Sequence, residues 1–246
     1  MKRFFLFPML LLAAVPVTAQ TRLQILDDIV LTQISPHVWV HTSVADLDGF
    51  PGVSSNGAVV VSQGEALLLD TPANDDQTER LVRFLADSLH ARVTMFVPNH
   101  WHADCMGGLG WLQSQGVVSY ANRMTVEEAR KHGKPVPDHG FTESQILRVG
   151  EVPVVCRYEG GGHTPDNTVA WIPSERVLFG GCLVKDTAAV SIGNTADADM
   201  DAWPGTIERV KRRYGNAEVI VPGHGQWGGT ELLDHTLKLV RGSSDR

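Results

Sequence analysis

Four short stretches of this chain carry side chains able to hold a metal ion, and each lies near glycine. Asn99-His100-Trp101-His102-Ala103-Asp104 sets two imidazoles two residues apart and a carboxylate two further on. That spacing can converge on one ion when the backbone turns instead of continuing as a helix. Gly160-Gly161-Gly162-His163-Thr164-Pro165-Asp166-Asn167 puts a further histidine in a glycine-rich loop, Gly180-Gly181-Cys182 a thiol, and Pro222-Gly223-His224-Gly225 a last imidazole. Imidazole, thiolate and carboxylate are the standard ligands of zinc, and catalytic zinc keeps one position open. A lone His-x-His is common on polar surface loops; the case rests on its recurrence with the other three stretches.

The elements that must position these residues are legible as short apolar runs. Val93–Val97, Val152–Tyr158, Thr168–Ile172, Val177–Phe179 and Ala217–Val221 read as strands, so each candidate ligand falls just past a strand end. Further strands are expected at Gln24–Val30, His37–His41 and Gln145–Val149, and a hairpin pairs Ala58–Ser62 with Ala66–Leu69 around Gln63-Gly64. Val44–Asn56 reads as a loop, rich in glycine, serine and asparagine yet carrying Phe50 and Val53. Asn74 or Asp75 can cap a helix with Leu81, Phe84, Leu85 and Leu89 on one face. Thr125-x-x-Glu128 has the capping-box form and opens a short helix ending at Gly133. Ala202–Tyr214 and Thr230–Val240 complete the helices, the last ended by Gly242, and Gly107-Gly108 is expected to turn the chain sharply into its next helix. Strands and helices mixed in two similar halves, without repeat or linker, predict one α/β domain.

Composition narrows the class of function. The 246 residues are 43% hydrophobic and 20% charged, ordinary for a globular protein and unlike a disordered chain. The net charge of −7 and the lack of a basic run disfavour a nucleic-acid partner. Three cysteines exclude a disulfide scaffold. Met1-Lys2-Arg3, an apolar run from Phe4 to Val17 and Val17-Thr18-Ala19 form a signal-peptide pattern cut after Ala19. The expected organisation is a signal peptide at 1–19 and a single domain at 20–246, exported to the periplasm of a Gram-negative bacterium. Loss of Lys2 and Arg3 leaves a net charge of −9, and the mature protein is expected to be monomeric and free of the membrane.

Together these motifs resemble the metallo-β-lactamase superfamily, and within it subclass B1, from about Val38 to His224. The cysteine of Gly-Gly-Cys-Leu-Val-Lys is the more specific mark, because many other members carry aspartate there. The resemblance implies a four-layer αββα sandwich, two mixed sheets flanked by helices, and two zinc ions per chain. His100, His102 and His163 would hold the first ion, and Asp104, Cys182 and His224 the second. Lys185 would receive the substrate carboxylate, Asn194 would lie near the lactam carbonyl, Asp70 would lie beneath the zinc site, and Phe50 and Val53 would sit on a mobile flap. The implied reaction is hydrolysis of the amide of penicillins, cephalosporins and carbapenems, giving antibiotic resistance. Zinc lowers the pKa of a bound water to ~7, so the nucleophile is hydroxide. Asp104 would orient it, and the first zinc with Asn194 would stabilise the oxyanion. The Ser-x-x-Lys signature of serine β-lactamases is absent from the sequence.

Cys105 departs from the pattern, because many subclass members carry arginine there. It is expected to tune the affinity of the second zinc without being required. Glyoxalase-II-type members have a histidine at this position. Ala73 falls where an aromatic residue often lines the pocket floor. Two other functions compete: a superfamily hydrolase of thioesters, lactones or sulfate esters, and a non-catalytic zinc-binding domain. Cys182, its spacing to Lys185 and the missing histidine disfavour the first. The scattered, histidine-rich ligands disfavour the second.

Overall fold

The computed structural model describes residues 20–47 and 49–244; the proposed signal peptide at 1–19 lies outside the described residues. Strands β1 (Arg22–Leu26), β2 (Ile29–Gln33), β3 (Val38–Leu47), β4 (Phe50–Ser62), β5 (Glu65–Leu69), β6 (Arg92–Val97), β7 (Val118–Asn122) and β8 (His139–Phe141) form one sheet in chain order. Its pairs are antiparallel as far as β5 and parallel from β5 to β8. The second sheet runs β13-β12-β11-β10-β9, from β9 (Ser144–Val149), β10 (Val152–Tyr158), β11 (Thr168–Ile172), β12 (Val177–Gly181) and β13 (Val219–Pro222), and only β12–β13 is parallel. Both sheets are therefore mixed.

Successive strand residues face opposite ways, and this period of two builds three cores. Val38, Val40, Ala58, Val60, Leu67 and Leu69 meet Val154, Cys156, Ala170, Ile172, Phe179 and Val221 between the sheets. The alternate residues Trp39, Val59 and Leu68 pack outward against Leu81 and Leu85 of α1 (Asp75–Leu89) and Leu109 and Leu112 of α3 (Leu109–Ser114). On the far side Val169, Leu178 and Ile220 pack on Ile207 and Val210 of α5 (Trp203–Tyr214) and Leu233 and Val240 of α6 (Glu231–Ser244). Helix, sheet, sheet and helix make the four layers expected. Cys156 lies in the core between the sheets.

Several local expectations are corrected. Gln24–Val30 is not one strand: β1 and β2 meet in a hairpin there. Val44–Asn56 is not a loop, because β3 and β4 continue through it as a paired hairpin, with Ala45 opposite Val53 and Leu47 opposite Phe50. Small polar residues hide the alternation there, since neither face of this extension meets a core. Thr125 does not cap α4 (Arg123–Lys131); Asn122 does, its Oδ1 accepting from Met124 N at 2.9 Å, while Thr125 Oγ1 donates to Asp166 Oδ2 at 2.7 Å. α6 continues through Gly242 to Ser244. Gly107 and Gly108 make no left-handed turn; a Cβ at either would strike the Ala73 carbonyl or the Thr78 side chain, so they serve close packing. α1 is capped by Asn74.

Candidate metal centre

All four metal-ligand stretches emerge along one edge of the sandwich, and Asn99 ties them together. It follows β6 and Pro98, and its buried amide sits between the sheets. Asn99 Nδ2 donates to the carbonyls of Thr168 and Gly180. Its Oδ1 accepts from His100 Nδ1 at 3.0 Å, Asn167 Nδ2 at 3.1 Å and Cys182 N at 3.3 Å. One side chain thus sets the positions of the first histidine, the His163 loop and the cysteine. Gly181, at φ +54°, is required twice over, because a Cβ there would also strike the Asn99 amide.

The His163 loop hangs by its carbonyls from α5 and the turn before it. Thr206 Oγ1 donates to Gly161 O at 2.7 Å, Arg209 Nε to Glu159 O at 2.6 Å, and Asp199 N to Gly162 O at 2.8 Å. Asn167 Oδ1 accepts from Thr164 N at 2.9 Å, so Asn167 braces the loop as well as capturing Asn99.

The ligand atoms of His100, His102 and His163 lie within 4.8 Å of one another. Their hydrogen bonds fix which nitrogens are bare. His100 gives its Nδ1 proton to Asn99, and His102 Nε2 donates to Asp197 Oδ2 at 3.0 Å. The remaining nitrogens, His100 Nε2 and His102 Nδ1, face each other at 2.9 Å. Two lone pairs at that separation repel unless a cation lies between them and the third ring. Buried His163 Nδ1 has no hydrogen-bond partner. This donor set fits a metal ion.

A second group lies alongside. Asp104, on the one-turn helix α2 (Ala103–Met106), has Oδ2 3.3 Å from His224 Nε2 and 3.6 Å from Cys182 Sγ, and Cys182 Sγ is 3.4 Å from His224 Nε2. His224 Nδ1 donates to Ser54 O at 2.8 Å, which turns Nε2 toward the site. Carboxylate, thiol and imidazole at these spacings fit a second ion. Gly223 leaves the space Cys182 needs, since a Cβ there would meet its sulfur.

The electrostatics favour metal-ready forms of His100, His163, Cys182 and Asp104, while the charges around His224 hold it protonated until an ion displaces that proton. Burial, with neighbouring His163 adding to it, holds His100 well below the usual imidazole range. Burial, aided by the Lys185 charge, lowers His163 to about 3. A hydrogen bond from Cys105 outweighs burial and brings Cys182 down to about 6. Burial opposes ionisation of Asp104, but His224 and His100 hold its carboxyl well below the carboxylate range. Burial also opposes a charge on His224, yet Cys182 and Asp104 raise it to about 11. Beneath the cluster, Asp70 follows β5 in the left-handed region at φ +59° and accepts from Asn99 N; burial pushes its carboxyl up. Cys105 Sγ lies 3.2 Å from His100 Nδ1, and burial raises its thiol.

The residues expected to bind substrate are less closely gathered. The Lys185 ammonium sits 5.5 Å over the Trp203 ring and beside Gly193, and burial lowers it below the usual amine range. Asn194 is exposed, and its Oδ1 accepts from Ala196 N at 3.0 Å, a local turn contact. Phe50, 53% exposed, lies toward the tip of the β3–β4 hairpin. Val53 adjoins Ser54, whose carbonyl holds His224. Asn56 Nδ2 donates to Pro222 O and Gly225 O at 3.0 and 2.8 Å, so the base of the hairpin is tied to the His224 loop.

Sequence reasoning missed Asp197, the organising role of Asn99 and the aromatic wall behind His102. Trp101 meets His102 edge-on at 4.5 Å, and His132 stacks on Trp101 at 4.2 Å. The Asn-His pair was a signal for Asn99. Nothing near Asp197 announced it.

Comparison with known proteins agrees with this geometry. The family model described as the metallo-beta-lactamase superfamily matches residues 99–224, which hold all six candidate ligands. A metallo-beta-lactamase type 2 of Bacteroides fragilis is 53% identical over 230 residues, 94% of this chain and 92% of the relative. One of Bacillus cereus is 38% identical over 211 residues, 86% of this chain and 82% of the relative. A solved metallo-beta-lactamase from Pontibacter korlensis superposes with a TM-score of 0.83 at 41% identity, covering 87% of this chain and 99% of that one. The chain belongs to the metallo-β-lactamase superfamily, among its subclass B1 (class B) hydrolases.

Proposed function

We propose that the protein is an exported, two-zinc β-lactamase that opens the lactam amide of penicillins, cephalosporins and carbapenems and so confers resistance. The observation that carries this reading is the pair of adjoining donor groups, three bare imidazole nitrogens beside a carboxylate–thiol–imidazole set, in a chain related to enzymes named metallo-β-lactamases. His100, His102 and His163 are assigned to one zinc, and Asp104, Cys182 and His224 to the other. Bound zinc supplies Lewis acidity and makes water acidic enough to provide hydroxide at neutral pH. The chain's own residues do the rest. Asp104 orients the nucleophile, Lys185 receives the substrate carboxylate, Asn194 approaches the lactam carbonyl, and Phe50 and Val53 cover the substrate. Asp70 and Cys105 support the ligands from below. The signal peptide at 1–19 and its removal, a single domain at 20–246, a monomeric state and a periplasmic location are parts of the same proposal.

The deciding experiment is hydrolysis of a β-lactam panel before and after chelation, with zinc counted in the same preparation. Activity lost with zinc and restored by it is expected. Fully zinc-loaded protein that turns over no β-lactam would sink the reading.

Two further outcomes are expected. Lys185→Ala removes a charge-assisted hydrogen bond worth ~1.5–3 kcal/mol, so KM for carboxylate-bearing β-lactams should rise ~10–100-fold while kcat changes less. Steady-state kinetics checks this, and an unchanged KM would dismiss the assignment. His41, buried under Gly57 with Nε2 donating to Asp70 O at 3.0 Å, is lowered by burial to about 4. Its neutral form belongs to the folded state, so the stability it provides is complete above ~6.5, the unfolded value, and is lost as pH falls through 4. Urea unfolding of metal-free protein from pH 7 to 4 should show up to ~3 kcal/mol of loss from this group. The slope should be shallower in His41→Gln.

A further inference from the structure

The proposed zinc centre uses Cys182 as a ligand and gives the thiol beside it only a supporting part. Cys105 and Cys182 are both buried, and their sulfurs lie within 4.8 Å of each other in one group with His100 and Asp104. Cys105 stands on the one-turn helix α2, and Cys182 follows Gly181 at the end of β12. Neither Gly181 nor Gly223 sets a side chain against the Cys182 sulfur. A disulfide bond is about 2.05 Å long, which leaves the two sulfurs at most about 3 Å to travel. The third cysteine, Cys156, is packed in the core between the sheets.

Resting on the reading of Cys182 as a zinc ligand, we propose that Cys105 and Cys182 form a reversible disulfide in the metal-free enzyme, a modification site that closes the second zinc position. The oxidant is a small external disulfide. Cys182 gives its proton to His224 Nε2, 3.4 Å away, and its sulfur attacks the external disulfide. A mixed disulfide forms, and one external thiolate leaves, taking up that proton. Cys105 then releases its proton to solvent and attacks the Cys182 sulfur, expelling the second external thiol. Two protein thiols and one external disulfide become one protein disulfide and two external thiols, and two electrons pass to the oxidant. Zinc on Cys182 withholds the attacking sulfur, so metal and disulfide exclude each other. An exported chain would meet such oxidants in the compartment proposed for it.

The test incubates chelated, folded protein with bis(2-hydroxyethyl) disulfide and reads mass, free thiols and linked peptides, none of which depends on turnover. Free thiols are expected to fall from three to one, the mass to drop by ~2 Da, and a Cys105–Cys182 peptide to appear, all reversed by dithiothreitol. Zinc-loaded protein is expected to keep three thiols. Cys105→Ser is expected to stop at the mixed adduct on Cys182, and Cys182→Ser to form no protein disulfide. Three free thiols in the metal-free parent, a parent halted at the mixed adduct, or a link through Cys156 would each overturn the proposal. Zinc bound by reduced protein is counted separately, so a failed disulfide and a failed zinc assignment give different results.

Discussion

Cys182→Ser is expected to weaken the second zinc by more than ~100-fold, beyond what loss of a supporting partner around a metal site costs. The sulfur is the one soft donor in its group, and its thiolate is favoured by the Cys105 hydrogen bond that brings it to about 6. A serine hydroxyl has no comparable acidity and stays protonated, so Asp104 and His224 would have to hold the ion alone. At limiting zinc, β-lactam turnover should fall by a similar factor and recover only in part with excess metal. Competition with a chromophoric chelator, read alongside turnover, checks both. Equal affinity in parent and variant would remove Cys182 from the ligand set.

Asn99→Ala should destabilise the fold by ~3–5 kcal/mol. Five hydrogen bonds meet on this buried amide, from or to Thr168, Gly180, His100, Asn167 and Cys182. Alanine leaves those buried partners unsatisfied, at ~1–3 kcal/mol each before water enters. It also frees the His100 ring to turn, so zinc affinity should fall with stability. Asn99→Asp should fare little better, because a carboxylate cannot donate to the two carbonyls. Urea unfolding of metal-free and zinc-loaded protein separates the two effects. A loss under ~1 kcal/mol would mean that Asn99 does not organise the edge.

The stretches that carry the candidate ligands were readable because of what they follow. An apolar strand that ends in glycine and a histidine or cysteine leaves few places for the side chain to go. The strands that build the three cores were equally plain in Ala58–Ser62 and Thr168–Ile172, because burial of both faces makes each a nearly continuous apolar run. The β3–β4 hairpin was not, because a strand extension facing no core has no reason to alternate. β7 and β8 were also missed, being short and parallel, with partners far off in sequence. Asp197 escaped for a related reason: an exposed aspartate 95 positions from His102 has no local signature. Thr125 looked like a cap until the fold supplied Asp166 as its partner.

The division of the ligands between the two sheets has a consequence for how long the protein survives. His100, His102 and Asp104 follow β6 of the first sheet, while His163, Cys182 and His224 follow strands of the second. Each donor group therefore draws two ligands from one half and one from the other. An ion held as proposed in either position would straddle the seam, and the halves could not part without shedding it. Metal supply would then govern how often the seam breathes open, and with it the rate at which proteases find a cleavable chain. Zinc starvation would shorten the working life of the molecule as well as silence it.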